Sequence, residues 1–538
     1  MGEANEGILA ELVRLRAERE PDLPVLTFEH RSLDGGATPD EVRSYAELWV
    51  HGNCLARGLI DRGMQRGDRF ALLMANHPEF VESLIAASLS GCVAVPIDPR
   101  TRGEKLAYLL RHAGCRGVIC ADPCLGPLRE VQARGVHLEW ILSVGSGCQG
   151  SGLPAEEGGA RPLAEVLAQP AATVDLRLSS GRDPLQILYT SGTTGDPKGV
   201  VFPNERFGAY ALVGRLAGYG PDERPYTGLS LTHGNAQAVT LASSLHMGLR
   251  AVFSRRFTKS QLWEVCRTYG CTTFSLLGGM ATALYSEPPR PDDADNPVRF
   301  VVSAGMPPAI WGAFERRFGV AIFEWYGAVE GGLAFKPIGQ GPVGSFGRPV
   351  PGLEMKILDE RDRECAPGEV GEICSRPADG GRPAVEYFGN PAASRRKTRG
   401  GWLRSGDLGH RDAAGWLFFD SRKGGGIRHN GDFIHPGFVE KALAELPEVE
   451  DVFVYGVPAA SGAPGEKDVV AAVVPAHPSA FRPAEVFAAC RSALEPNFVP
   501  TYLQVVDEIP KTASEKPQER FLREGFSQAA PNVFTEAR

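Results

Sequence analysis

The sequence contains no run of about 18 apolar residues, the length a helix needs to span a bilayer, so no transmembrane segment is expected. Its start does not fit a secretory leader either. Glu3, Glu6, Glu11 and Arg14 interrupt the apolar residues, and Ile8, Leu12 and Leu15 fall on one face of a helix instead. An excess of positive charge is also missing: 57 Lys and Arg against 65 Asp and Glu give a net charge of −8, which offers nucleic acid or an anionic membrane no electrostatic footing. Cysteine is present without pattern. The 11 residues are odd in number, and the one cluster, Cys115, Cys120 and Cys124, lacks zinc-ligand spacing, so they read as reduced thiols of a cytoplasmic protein. The Walker signature is absent too, because Lys198 is followed by Gly199 rather than by Ser or Thr, which disfavours an ordinary P-loop ATPase or kinase.

What the sequence does have begins with 538 residues, 43% of them hydrophobic and 23% charged, enough for a large multi-lobed body and a smaller domain. The richest loop runs Tyr189-Thr190-Ser191-Gly192-Thr193-Thr194-Gly195-Asp196-Pro197-Lys198-Gly199 after a largely apolar strand. Backbone N–H groups, hydroxyls and one ammonium converge there, the donor set a nucleotide triphosphate requires. The same composition also marks ordinary connectors.

Upstream, short apolar strands at 69–74, 93–96 and 117–120 alternate with helices at 80–87 and 105–112, and a helix is expected to open at 42–48. Such alternation indicates a parallel sheet flanked by helices. The Gly, Ser and Pro content of 145–159 predicts a surface loop. Two more strands are expected at 299–304 and 320–325, the first stopping at Gly305-Met306-Pro307 and the second at Tyr326-Gly327-Ala328-Val329-Glu330. In an open parallel sheet, ligands bind outside the carboxyl ends of strands, so these loops are expected to converge on one site. Glu330 is then a carboxylate near phosphates, suited to hold Mg2+. His233 follows another apolar stretch. Alternating apolar residues across 344–372 predict antiparallel strands, Asp407 lies in a turn, and Gly424-Gly425-Gly426 after Arg422-Lys423 marks a hinge. Beyond it, helices at 438–446, 484–494 and 519–524 and strands at 452–456, 469–474 and 503–506 form a compact α+β unit.

In order along nearly the whole chain, these segments resemble the adenylate-forming superfamily of acyl-CoA synthetases, peptide-synthetase adenylation domains and luciferases. The motifs that carry the resemblance are the loop 189–199, Tyr326-Gly327-Ala328-Val329-Glu330, Gly368-Glu369-Val370-Gly371-Glu372-Ile373, Gly401-Trp402-Leu403-Arg404-Ser405-Gly406-Asp407 and Pro510-Lys511-Thr512-Ala513-Ser514-Glu515-Lys516. The implied fold is α/β. A large N-terminal domain of parallel-type sheets flanked by helices spans 1–422, with a β-rich subdomain at about 344–420; a hinge at 423–426 leads to a small mobile α+β C-terminal domain, 427–538.

The resemblance implies that Thr190, Ser191, Gly192, Thr193, Thr194, Gly195 and Lys198 cradle the ATP phosphates. Gly305, Met306 and Pro307 would line the adenine beside Tyr326 and Gly327, Asp407 and Arg422 would hold the ribose, and Glu330 would bind Mg2+. Lys516 would bridge the acyl carboxylate and the α-phosphate before the small domain rotates about Gly424. Departures from the superfamily pattern are Val329 in place of a threonine, Ser421 in place of an acidic residue, Glu515 in place of a glycine, and Asn430-Gly431-Asp432-Phe433 in place of a Gly-Gly-Glu-Asn turn.

The implied reaction is that of an ATP-dependent acid–CoA ligase acting through an acyl-AMP, with ATP, Mg2+ and CoA as cofactors or co-substrates. The alternatives are an adenylation enzyme that loads a separate carrier protein and a non-catalytic AMP-binding regulator. His233 is carried among the catalytic candidates, and His233, Asn235, Gln237, Leu277, Gly278 and Gly279 as the substrate pocket. The segment 233–237 has no acidic residue to hold an α-amine, which weighs against an amino acid, and the amides and glycines of the pocket set suggest a compact or partly polar acid rather than a long fatty chain, while the general pattern of the chain most resembles bacterial short- or medium-chain acyl-CoA ligases, including the carnitine type. The expected partners are small molecules, with a homodimer left open.

Overall fold

The computed structural model describes residues 5–145, 159–170, 172–190, 197–423, 427–429, 432–434, 436–460, 467–494, 496–512 and 515–535. The expected loop at 145–159 therefore lies almost wholly outside the described residues, as do the hinge glycine Gly424 and Ser191–Asp196 of the phosphate loop. The chain divides into two compact units, Met1–Ser275 with Ala384–Thr398, and Leu276–Pro383 with Arg399–Arg538.

In the first unit the expected alternation builds a seven-stranded sheet ordered Ala160–Pro162, Trp140–Val144, Cys115–Ala121, Arg69–Leu73, Val93–Ile97, Pro184–Thr190, Lys198–Pro203. The pairs as far as Pro184–Thr190 are parallel, and the last is antiparallel, with Thr190 opposite Lys198. Strands buried on both faces read as continuous apolar runs, as Val93–Ile97 does. Helix Gly103–Ala113 covers this sheet with Leu106, Leu109 and Leu110 in a core shared with Val95 and Val118. The helix expected from 42 starts at Tyr45, because Ser44 caps it: its side chain accepts from the Glu47 N–H while Glu47 accepts from the Ser44 N–H. Residues 41–44 are a strand instead, paired antiparallel with Pro24–Glu29.

In the second unit, Phe300–Ala304 and Ala321–Ala328 are parallel neighbours with Ser303 opposite Glu324. From there the strands run antiparallel in the order Gly331–Lys336, Ser345–Pro349, Leu417–Arg422, Leu403–Arg411, Gly371–Pro377, Leu353–Leu358, the β-rich part expected after 344. The strand expected to stop at Trp325 continues to Ala328, so Tyr326 and Gly327 belong to the ladder and only Val329 and Glu330 form the turn. Toward the C-terminus a four-stranded sheet, Val449–Pro458, Lys467–Pro475, Tyr502–Val505 and Val533–Thr535, has apolar clusters on both faces drawn entirely from residues 427–533. Helices Pro436–Ala444, Pro483–Ala493 and Glu519–Glu524 accompany it, as the sequence pattern indicates. Among the described residues, no helix is long and apolar enough to cross a membrane.

Candidate active site

Strand Ala321–Ala328 organises the site in the second unit. Alternate residues on a strand face opposite ways. Tyr326 stacks on Phe346, with centroids 4.5 Å apart and planes 26° from parallel, and its hydroxyl donates to Asp407 Oδ2 at 2.6 Å. Asp407 is 6% exposed, and its backbone N–H donates to Ser405 Oγ at 2.9 Å. In the ladder Asp407 stands opposite Arg422, whose side chain lies outside what the structure describes. Two of the residues expected at the ribose and the base are thus brought together.

Two residues earlier on the same strand, Glu324 is 3% exposed and accepts from the backbone N–H of Gly305 at 2.5 Å and of Met306 at 3.3 Å. Burial pushes its carboxyl up to about 7, against the pull of these N–H groups and of Lys336. Lys336, the ladder partner of Glu324, is itself buried, and its ammonium sits 4.3 Å over the Trp311 ring. Glu324 therefore fixes the turn Gly305-Met306-Pro307, in which Gly305 has φ +93°. Sequence reasoning passed over this residue, although a lone charge inside the apolar strand Ala321–Ala328 was a usable signal.

Close backbone approaches explain two adjacent glycines, the first of them through the same turn. A Cβ at Gly278, the first residue of helix Gly278–Tyr285, would run into the Gly305 carbonyl oxygen. One at Gly279 would stand 3.1 Å from the Glu515 carbonyl oxygen and 3.7 Å from Pro517 Cδ. The segment bearing Lys516 thus packs on this helix start. It is a hairpin: Lys511 and Pro517 form a bridge, the Thr512 N–H donates to the Lys516 carbonyl at 2.8 Å, and Lys511 Nζ pairs with Asp451 at 2.6 Å. Lys516 itself is exposed. Glu515, which replaces the superfamily glycine, has φ +55°, a left-handed conformation that explains why glycine suits the position. Gly278, Gly279, Gly305 and Pro307, together with His410, Asp420, Glu440, Asp451 and Lys511, line a cleft of about 440 Å3. Leu277 ends the strand Thr273–Leu277 and is buried.

The remaining expected residues, Glu330 apart, belong to the first unit. Thr190 and Lys198 close the base of a β-hairpin, where Thr190 Oγ1 donates to the Lys198 carbonyl at 3.4 Å. Lys198 is exposed, with Nζ 5.9 Å over the Tyr387 ring. Ser191, Gly192, Thr193, Thr194 and Gly195 lie outside the described residues. His233 Nδ1 accepts the Asn235 N–H at 3.2 Å. Gln237 is committed to the core: its amide exchanges hydrogen bonds with Gln186 at 2.6 and 3.1 Å and donates to the Leu231 carbonyl at 2.8 Å.

Glu330 occupies the turn between Ala321–Ala328 and Gly331–Lys336 and is half-buried. A single hard oxygen donor fits Mg2+, which keeps several waters and takes one or two carboxylates beside phosphate oxygens. Among the described residues no group of three or more His, Cys, Asp or Glu is disposed around one metal position, so nothing described competes with that donor as a protein cage.

The family model described as AMP-binding enzyme matches residues 13–379, and the AMP-binding enzyme C-terminal domain matches 439–516. Among curated proteins, the medium/long-chain-fatty-acid–CoA ligase FadD17 of Mycobacterium marinum is 32% identical over 90% of this chain and 92% of its own length. The sulfoacetate–CoA ligase of Cupriavidus necator is 30% identical over 95% and 96%, and the crotonobetaine/carnitine–CoA ligase of Salmonella arizonae is 28% identical over 88% and 91%. Among solved structures, the anthranilate–CoA ligase AuaEII with anthranoyl-AMP superposes with a TM-score of 0.82 at 22% identity, covering 96% of this chain and 97% of that one. A benzoate–CoA ligase from Burkholderia xenovorans gives 0.79 at 23% identity, with 96% and 99% covered.

Proposed function

The chain belongs to the AMP-binding enzyme family, and from that premise we propose that it is an acid–CoA ligase: a carboxylate and ATP give acyl-AMP and pyrophosphate, and the CoA thiol then gives acyl-CoA and AMP. The observation that carries this reading is that the Tyr326–Asp407 pair, the Gly305-Met306-Pro307 turn and the Lys516 hairpin all lie in one compact unit, with the hairpin seated on Gly279 beside the turn.

In this reading the base lies on Tyr326 and Gly327 against the Gly305–Pro307 turn, and Asp407, with Arg422, takes the ribose hydroxyls. Thr190, Lys198 and the loop between them hold the phosphates. Glu330 would hold Mg2+, which neutralises charge on the phosphate oxygens. As a carboxylate oxygen attacks the α-phosphorus, negative charge spreads over the phosphoryl oxygens and the bond to pyrophosphate breaks; Lys516 supplies a positioned cation at that point. In the second step the thiol sulfur attacks the acyl carbon and AMP leaves, with the small domain turned about 423–426 so that Lys516 has withdrawn. The names of the curated relatives, all CoA ligases, support CoA as acceptor.

The test is pyrophosphate release from ATP across short, medium, aromatic and polar carboxylic acids, followed by addition of CoA or of a carrier protein. Acyl-CoA formation is expected. Pyrophosphate with transfer only to the carrier moves the chain to the carrier-loading class, and no pyrophosphate with any acid overturns the ligase reading.

A further inference from the structure

The strand Pro184–Thr190 leads into the loop that holds the phosphates in the reading above, and the strand Lys198–Pro203 leads out of it. Near its start the first strand is held by Gln186, whose amide exchanges hydrogen bonds with Gln237 in the largely buried stretch 234–247, wound as a π-helix over Ala236–Ala242. The last rung, Thr190 opposite Lys198, borders the loop, and the ends of elements fray most readily. One residue before that rung, the Tyr189 hydroxyl shares a hydrogen bond of 2.7 Å with His112 Nδ1. All of these residues belong to the first unit.

His112 reaches Tyr189 from the helix Gly103–Ala113, one turn after Tyr108 on the same face. The Tyr108 and His112 rings stack with centroids 5.2 Å apart, and His112 meets Tyr189 and Phe388 edge-on at 5.8 and 5.9 Å. The Tyr108 hydroxyl lies 3.4 Å from the Pro197 carbonyl oxygen, so one helix face touches both arms of the hairpin. The Tyr189 ring in turn lies across Gly199, where a Cβ would stand 3.1 Å from its Cζ, and the Gly199 carbonyl accepts the Phe388 N–H at 2.8 Å. An apolar ring at 112 would serve this packing equally well. The imidazole adds direction, because a hydrogen bond fixes where the Tyr189 hydroxyl sits.

We propose that His112 is a positioning residue for the ATP phosphates: through Tyr189 it holds the strand end, so that Thr190 and Lys198 already face the β- and γ-phosphates when the nucleotide arrives. This rests on the assignment of those two residues to the phosphates in the reading above. A site ordered in advance loses less conformational freedom on binding. AMP, which lacks the β- and γ-phosphates, makes no use of that order and is indifferent to His112.

The experiment measures Kd for ATP with Mg2+ and for AMP by calorimetry, KM and kcat for pyrophosphate release, and Tm, in the full wild-type chain, Tyr189→Phe, His112→Phe and His112→Asn. Tyr189→Phe removes one oxygen and keeps the ring contacts, so it carries the test even where a histidine variant folds poorly. Both phenylalanine variants are expected to weaken ATP by roughly 3–10-fold, the scale of one neutral hydrogen bond, and AMP by less than about twofold. KM for ATP rises with them and kcat changes less. The variant combining both is expected to be no weaker than either alone, since the two changes remove one bond. His112→Asn, which keeps a polar atom at the δ position, is expected to retain ATP affinity within about twofold of wild type. Equal losses of ATP and AMP affinity, no loss of ATP affinity in Tyr189→Phe, or a His112→Asn no better than His112→Phe each overturn the proposal. A wild type with no measurable affinity for ATP overturns it together with the phosphate assignment. ATP binding without pyrophosphate release from any acid overturns the ligase reading alone, and the Kd comparison still decides this one.

Discussion

Tyr326 and Asp407 are joined at 2.6 Å although 81 residues separate them in sequence. Three strands also stand between theirs in the order of the ladder, so the antiparallel part of the sheet curls enough to bring its first and fifth strands into contact. Removing the hydroxyl alone, as Tyr326→Phe, keeps the ring on Phe346 and takes one donor from a buried carboxylate. A hydrogen bond to a charged group is worth about 1.5–3 kcal/mol. ATP affinity, read by calorimetry or as KM, is expected to fall about tenfold or more, with kcat changed far less. An equal fall in kcat at unchanged KM would place Tyr326 in the chemical step instead.

Lys516 is exposed at the end of its hairpin rather than part of the core, so Lys516→Ala is expected to fold normally. Acyl-AMP formation is expected to drop by roughly 10²–10³-fold, the scale for losing one preorganised electrostatic group. Thioester formation from supplied acyl-AMP should remain near the wild-type rate. Rapid-quench measurement of the two half-reactions separates them, and equal losses in both would refute the assignment of Lys516 to the first step.

Glu515 carries φ +55° just before that lysine. A left-handed conformation costs a non-glycine residue about 1–2 kcal/mol, and glycine gives back about 0.4–1 kcal/mol through its freer unfolded chain. Glu515→Gly is therefore expected to stabilise the protein slightly, by about 0.5–1 kcal/mol, and Glu515→Val to destabilise it, as read from denaturant midpoints. The reverse order would show that Glu515 side-chain contacts outweigh the backbone strain.

Three carboxyls, the buried Glu79 and Glu324 and the half-buried Glu440, are pushed up to about 7 by desolvation. A carboxyl whose folded value lies above its unfolded value binds its proton more tightly in the folded state, so its contribution is present at low pH and is lost as pH rises from about 4.5 to about 7. His77 runs the other way. Burial lowers it to about 4 from 6.5, so its contribution holds at neutral pH and fades as pH falls through that range. Glu324→Gln isolates one carboxyl: relative to wild type it is expected to be more stable at pH 8 than at pH 5, with each pKa unit of the original shift worth about 1.36 kcal/mol. A difference that does not change with pH would mean that Glu324 titrates at its ordinary value in the fold.

Much of the architecture was legible because its elements are local. The helix expected at 519–524 and the strands at 69–74 and 93–96 follow from periodicity within one window, and the structure places helix or strand there as Glu519–Glu524, Arg69–Leu73 and Val93–Ile97. The helix start misjudged at 42 was recoverable, since Ser44 and Glu47 spell a capping box. The strand expected to end at 325 runs on, and Gly327 pairs with Leu333 inside the ladder, because a neighbouring strand can hold a glycine extended. What the sequence could not disclose is non-local: that Glu324 would reach the backbone of Gly305, that Gly278 must approach the same residue, and that Gln237 would be claimed by Gln186 while Asn235 would not be paired. Each depends on which strand or helix becomes a neighbour.

The wide turns at Ala236–Ala242 have an evolutionary corollary. A π segment such as the buried Ala236–Ala242 is one residue longer than the α segment that could replace it, so deleting a single residue there lets the helix relax to ordinary pitch while what lies downstream keeps its orientation relative to what lies upstream. The stretch 234–247 thus holds one residue that can be lost without re-aiming its downstream end, with the Tyr326–Asp407 pair and the Lys516 hairpin unaltered in sequence.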